Sequence, residues 1–460
     1  MYVHGICYTA YDMTEKHKSD PSPPVRDGFS WQGNGKRLFP KGFLWGASSS
    51  SHQVEGGNVN DWSVWELAHA ADLAKHAHAR LSSAIYHHLT KLPIWDDIKD
   101  NATDPNNYVS GQGVDHYRRY KEDIAQAAAL NLNALRFSLE WSRIEPVEGQ
   151  WNQEAIDHYH DYIKELKSQG ITPMLNIWHW TMPIWFAEKG GLKKRRNLKY
   201  FTRFVQKVAD EYAHQVKYIV TINEPNVYTT LSYLTGEWPP QEKSTLSFIR
   251  VYWNLTRLHR QAYRILKLAN PHVQIGIAAQ LANIASKRPH NIFDVIQTEG
   301  MRYFWNWWFI SRMRKEQDFV GFNYYFTDYY RFGKFDGPDD PPLPYSDLGW
   351  YMEPEGIYPL LLRVWDHYHI PIIITENGLA DMHDNYRKWW LEQTILAMEK
   401  AIGEGVDLRG YFHWSLLDNF EWSTGWWPKF GLIAVDRENG MQRSVRPSAK
   451  WLADRIKSLQ

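Results

Sequence analysis

Cysteine is almost missing from this chain. Cys7 is the single cysteine among 460 residues, so no intrachain disulfide can form and a reducing compartment is compatible. Net charge is missing as well: 52 lysines and arginines balance 52 aspartates and glutamates, which removes the long-range field that would gather a polyanion. Nucleic acid is therefore not an expected partner. No run of about 18 apolar residues reads as a membrane span, and the first twenty residues contain no apolar stretch fit for a signal peptide. The expectation is a cytoplasmic protein with no membrane partner.

Two further absences narrow the fold and the chemistry. No GxGxxG turn follows the first strand-like run, which deprives a doubly wound open sheet of its usual ligand. His69, His76, His78, His87 and His88 cluster in one segment but form no convincing i, i+4 pair with a third ligand. They read as solvated helix histidines, and neither a metal nor a cofactor is expected.

What the chain has in quantity is aromatic side chains, with 24 Trp, 27 Tyr and 19 Phe. Most must build core, although their flat faces also match the C–H faces of sugars. Residues 1–37 are polar and broken by Pro21, Pro23 and Pro24, which suits an extension rather than a domain, and no linker interrupts residues 38–460. Within that span short β-branched or aromatic runs alternate with longer amphipathic stretches, the pattern of a parallel sheet covered by helices. Eight strands are predicted, at 43–47, 133–141, 172–180, 217–223, 274–280, 318–324, 371–375 and 409–416. Helices are predicted between them, for example over 114–130 and 153–169. Eight strands close a barrel, so the fold class is α/β, a single (β/α)8 TIM barrel with extended active-site loops.

Polar residues gather where these strands end: Gln53 and Glu55 after the first, His179 at the third, Glu224 after the fourth, Glu376 after the seventh and Glu421 after the eighth. The C-terminal strand ends form the active-site face of such a barrel, so all six are expected to point into one pocket. Two of the acids close strongly β-prone runs, T-I-N-E-P-N at 221–226 and I-T-E-N-G at 374–378. Cleaving a glycosidic bond with retention requires one carboxylate to attack the anomeric carbon and one carboxylic acid to protonate the leaving oxygen, about 5–5.5 Å apart. A strand-end glutamate alone is weak evidence, because such residues often satisfy backbone amides or pair with arginine.

Those two motifs occur together with R-F-S-L-E-W-S-R-I-E-P (136–146), N-I-W-H-W-T-M-P (176–183), G-F-N-Y-Y (321–325) and W-S-L-L-D-N-F-E-W (414–422). In this combination the chain resembles glycoside hydrolase family 1, the β-glucosidase family, in order from about Phe39 to about Trp451. The resemblance implies that Glu376 is the nucleophile, Glu224 the general acid and base, and Asn223 the partner of the sugar 2-hydroxyl. It places Arg136 and Tyr325 beside Glu376, where a guanidinium and a phenol favour the ionised carboxylate. It implies that Gln53, His179, Trp180, Asn323, Tyr325, Glu421 and Trp422 bind sugar, over Trp414 as a stacking platform. Glu224, facing that charge in a partly dry pocket, is expected to hold its proton.

The implied function is hydrolysis of terminal β-D-glucosyl residues, with galactosides or fucosides as further substrates. A transglycosylase would use the same residues, and a silent sugar-binding relative would keep the pocket but lose a carboxylate. Glu421 disfavours a phosphorylated sugar, despite Lys429 close behind it. The chain departs from the family where His179-Trp180 is followed by Thr181 rather than aspartate. It also carries a long segment between Trp65 and Val114, with Leu67, Ala71, Ala74, Ala77, Leu81, Ile85, Leu89 and Leu92 at helical spacing, expected over the aglycone entrance. In the aromatic run 303–309, Phe304, Trp305 and Trp308 are read as one packed helix face, with an exposed patch as the alternative. The basic run Lys193–Arg196 reads as solvated surface.

Overall fold

The computed structural model describes residues 39–83, 86–336 and 345–459. The predicted extension over 1–37, with Cys7, and Ile85 of the long segment lie outside the described residues.

Eight parallel strands form a closed barrel in which each pairs with its neighbours in sequence and the last closes on the first. They are β1 (Leu44–Ser48), β2 (Ala134–Ser138), β3 (Thr172–Trp178), β4 (Tyr218–Asn223), β5 (Gln274–Gln280), β6 (Val320–Tyr324), β7 (Ile372–Asn377) and β8 (Leu408–Trp414). All eight predicted strands are present, with their ends displaced by up to three residues. The two predicted helices run His116–Ala129 and Gln153–Ser168.

The barrel interior is filled by one side chain from each strand or its lead-in: Leu44, Ala134, Met174, Val220, Ala278, Phe319, Ile373 and Phe412. A much larger apolar layer lies between the strands and the surrounding helices. Side chains alternate along a strand, so the residue two beyond an interior position faces the mouth of the barrel. Arg136 follows Ala134, Asn176 follows Met174 and Trp414 follows Phe412 in this way.

Simple alternation would not place Asn223 and Glu376. The β4–β5 register shifts between Val220 and Asn223, and the β6–β7 register shifts between Ile374 and Glu376. A bulge re-aims the side chains that follow it. Gly378, just past Glu376, makes room for this: a Cβ there would sit 1.9 Å from the Trp414 carbonyl oxygen.

The segment after β1 folds as Asp61–Lys75, Ala77–Leu81, the short turn Leu89–Lys91 and Trp95–Thr103. Its helical spacing is thus broken at His76 and again beyond Leu81, where His87 and His88 adopt φ of +52° and +53°. Ala77, Leu81, Leu89 and Ile98 pack with Tyr325, Trp414, Trp427 and Phe430. The segment therefore does lie on the C-terminal face, where it covers the loops after β6 and β8.

Candidate active site

Glu376 lies within β7, one strand away from Tyr325 at the end of β6 and across the barrel from Arg136 on β2. Tyr325 donates its hydroxyl to Glu376 Oε2 at 2.7 Å, and Arg136 forms an ion pair with Oε1. The second Arg136 nitrogen donates to Asn223 Oδ1 at 2.6 Å, tying the ends of β2, β4 and β7 together. Both expected neighbours of Glu376 are in place. Burial nonetheless raises its carboxyl above the usual range, with Arg136, Tyr325 and Asn323 working against that rise.

Glu224 follows β4 directly, its backbone in the left-handed region at φ +39° and its N–H donated to the Ala278 carbonyl at 2.6 Å. A non-glycine residue held there carries backbone strain that the surrounding structure must over-determine. Among the described residues its one side-chain hydrogen-bond partner is the Asn323 amide, 2.7 Å from Oε1. Burial pushes its acidity well above the ordinary carboxyl value, and the Glu376 charge pushes it further. Asn323 is itself oriented by Thr375, whose hydroxyl donates to Oδ1 at 2.6 Å. Two carboxyl groups with unequal partners result: one holds a guanidinium and a phenol, the other a single amide, so the first proton leaves from Glu376.

Around this pair lies a polar and aromatic floor. His179 Nε2 is 3.1 Å from Asn223 Nδ2, and its Nδ1 is 3.1 Å from Asn176 Nδ2. Burial and nearby Arg136 keep this imidazole neutral. Its ring lies parallel to those of Trp414 and Trp422, with centroids 5.9 and 6.1 Å away. Gln53 donates to the Phe420 carbonyl at 2.8 Å and to Glu421 Oε2 at 3.3 Å, while Asn419 donates to the same Oε2 at 2.8 Å. Burial raises the Glu421 carboxyl to about 8. Trp180 spends its indole N–H on the Asn223 carbonyl at 2.9 Å, buttressing that residue. Thr181, where the family has aspartate, donates to the buried Glu140 carboxylate at 3.1 and 3.2 Å.

Glu55 does not join them, contrary to the expectation that all six strand-end residues share one pocket. Arg143 donates to its Oε2 at 2.9 Å and Tyr159 to its Oε1 at 2.8 Å, holding it between the first two βα loops. A strand-end acid close to an arginine two motifs away had this outcome open to it. Sequence reasoning also passed over Trp238, which packs on Trp180 and Trp422 at 4.7 and 5.9 Å and donates to Ser423 Oγ at 3.1 Å. It lies in the long loop after β4, with no motif to mark it.

A cavity of about 180 Å³ opens above Glu421 and Trp422, walled by Leu231, Trp238, Leu348, Trp350 and Tyr86. Tyr86 comes from the long segment after β1, and neighbouring Arg80 anchors it by donating to the Tyr86 hydroxyl at 3.1 Å and the Ser423 carbonyl at 2.8 Å. The histidines of that segment are engaged locally: His69 with the Trp65 carbonyl at 2.8 Å, His76 with Asp72, His88 with the Ser82 carbonyl at 2.6 Å. The aromatic run is not one packed face. It lies in a widened turn, Tyr303–Trp307; Trp305 donates to Gln280 at the end of β5, whereas Phe304 stacks on Trp308 at 5.5 Å and stays 39% exposed.

The profile of Glycosyl hydrolase family 1 matches residues 35–315 and 310–460. Beta-glucosidase A of Thermotoga maritima is 31% identical over 92% of this chain and 98% of its own length. A chloroplastic galactolipid galactosyltransferase of Arabidopsis thaliana is 31% identical over 73% of this chain and 57% of its own. Among solved structures, the Thermotoga maritima β-glucosidase in complex with glucoimidazole superposes with a TM-score of 0.79 at 29% identity, covering 92% of this chain and 99% of that one. With its closed barrel and its acids at the strand ends, this chain belongs to glycosyl hydrolase family 1 and is a β-glycosidase of that family.

Proposed function

We propose that the protein hydrolyses terminal β-D-glucosyl residues by double displacement, with Glu376 as nucleophile and Glu224 as acid and then base. The observation that carries this is the inequality of their surroundings. Arg136 and Tyr325 grip Glu376, while Glu224 has Asn323 alone and faces the Glu376 charge. The shared neighbour Asn323 also supports a separation short enough for a retaining pair.

In the first step Glu376 forms the bond to the anomeric carbon as Glu224 gives its proton to the departing glycosidic oxygen. Water, deprotonated by the Glu224 carboxylate, then attacks the same carbon and frees Glu376. Gln53, His179, Asn223, Glu421 and Trp422 bind the sugar hydroxyls over Trp414, with Trp180 and Asn323 holding this set in place. A bound glucoimidazole in the Thermotoga relative supports a glucosyl substrate. The relative named as a galactosyltransferase favours a second reading, in which an alcohol replaces water as acceptor.

Release of a chromophore from aryl β-glucosides by wild type and by Glu376→Ala tests the assignment. The variant should be inactive and regain turnover with azide, giving the inverted glycosyl azide. Equal rates in the two proteins, or initial release of the α-anomer by proton NMR, would overturn it. Adding alcohol acceptors and following product ratios separates hydrolysis from transfer.

A further inference from the structure

The zero net charge of the chain averages over a very uneven surface. Helix Thr245–Ala269 contains no aspartate or glutamate in its 25 residues. One of its faces is buried through Phe248, Tyr252, Leu255, Leu258 and Leu266, the first two against Phe304, Trp308 and Phe309. At 3.6 residues per turn, Leu246, Ile249, Arg250, Trp253, Arg257 and Arg260 fall on the opposite side within an arc of about 120°. Arg264 and Leu268 continue the same stripe. A water-facing helix side ordinarily carries mixed charges and few large apolar groups. This one alternates arginine with leucine, isoleucine and tryptophan, Leu246 being 56% and Leu268 86% exposed.

The stripe is one wall of two adjoining grooves. In the first, of about 570 Å³, Arg257, Arg260 and Arg264 face Arg195 and Arg196 of the short turn Arg195–Asn197 and Lys199 at the start of helix Leu198–Tyr212. In the second, of about 490 Å³, Lys193, Arg195, Arg250 and Arg257 surround Ile249 and Trp253. Among the described residues the acids that reach these cations are Glu242, on Lys193, and Glu316, 3.6 Å from Arg260 and 3.9 Å from Arg264. Arg195, Arg196, Lys199, Arg250 and Arg257 form no ion pair there.

Ala269 ends just before β5 begins at Gln274, so this helix runs back along the barrel and its start lies level with the strand C-terminal ends. Leu246, Ile249, Trp253 and the 195–199 turn thus flank the rim on which the glutamates open.

We propose that this face, helix Thr245–Ala269 with Arg195, Arg196 and Lys199, docks the protein on an anionic phospholipid bilayer. Phosphates of the headgroups would sit in the arginine grooves while Trp253, Ile249 and Leu246 enter the boundary below them. Aliphatic groups interleaved with the cations favour a lipid surface over a nucleic acid, which offers phosphates without an apolar layer. A second copy of the chain meets it poorly, because a two-fold contact would set arginine against arginine. No described helix is long and apolar enough to cross a membrane, so the association is with the surface alone.

Co-sedimentation of the full chain with phosphatidylcholine vesicles, with and without phosphatidylglycerol, tests this. The protein should pellet with the anionic vesicles, and high salt should release it. Each cation near such a surface is worth about fivefold in binding, so Arg195→Glu with Arg196→Glu should weaken pelleting by at least about 25-fold. Trp253→Ala should weaken it several-fold, and all variants should keep wild-type turnover of a soluble aryl β-glucoside, which certifies folding. Failure to pellet with anionic vesicles, pelleting unaffected by either set of substitutions, or tighter binding to duplex DNA than to vesicles would each overturn the proposal. So would a dimer in light scattering that Arg257→Glu disperses.

Discussion

Among the described residues no cation pairs with Glu421; the amides of Asn419 and Gln53 donate to its carboxyl, and burial lifts it to about 8. A carboxyl with a raised folded value binds its proton more tightly folded than unfolded, so it costs stability as pH rises from about 4.5 to about 8. Glu421→Gln keeps an acceptor for both amides and removes the titration. Its melting temperature should exceed that of wild type by a few degrees at pH 8 to 9 and converge with it near pH 4, as scanning calorimetry would read. Activity should fall, since in the proposed sugar site the amide offers the hydroxyls one acceptor oxygen where the carboxyl offers two. Under the proposed mechanism Glu224 and Glu376 should set the rate profile. In the proposed roles the free enzyme acts with Glu376 ionised and Glu224 protonated, so kcat/KM should rise through the first titration and fall through the second. Glu224→Gln should lose about 10²–10⁴-fold on substrates with poor leaving groups and show no alkaline fall on a dinitrophenyl glucoside. An alkaline fall that persists would assign that limb to another group.

At the scale of elements, the segment between β1 and the helix His116–Ala129 shapes the mouth without being a detachable lid. Leu81, Leu89 and Ile98 share a core with Trp427 and Phe430, so removing 69–108 would strip the loops after β8 of their cover. A single side chain gives the cleaner test. Tyr86 stands in the wall of the cavity above Glu421, and Tyr86→Ala should raise KM about 2- to 12-fold for aryl glucosides while leaving that of methyl glucoside near wild type. An equal change for both would show a general loosening instead. The two register shifts act at this scale as well. They lie just before Asn223 and Glu376, where ordinary alternation would have pointed the amide of the first and the carboxylate of the second into the helix layer.

For the molecule as a whole, the barrel interior holds the strand ends at their spacing. Phe412 fills the ring of side chains from all eight strands and touches the space that Gly46 leaves, where a Cβ would come within 2.5 Å of its ring. Phe412→Ala should cost about 3–5 kcal/mol by denaturant unfolding, while KM of the folded fraction stays within about twofold. A change confined to KM would mean that the ring positions the site rather than stabilising the fold.

The sequence by itself determined the eight strands, the barrel they close and the strand ends on which Glu224, Glu376, His179 and Glu421 stand. Periodicity and strand propensity are local, and the order of short runs and amphipathic stretches leaves few ways to pair them. Tertiary structure alone decided which strand-end acids share the pocket. Glu55 and Glu421 look alike in the chain, and only the position of Arg143 and Tyr159 turns the first away. It decided too that burial raises Glu376 despite its arginine, because desolvation sums over every neighbour rather than the two that a motif names. The break in the helical spacing after Leu81, and the gathering of cations from two helices onto one face, belong with these, since neither follows from one stretch of residues read alone.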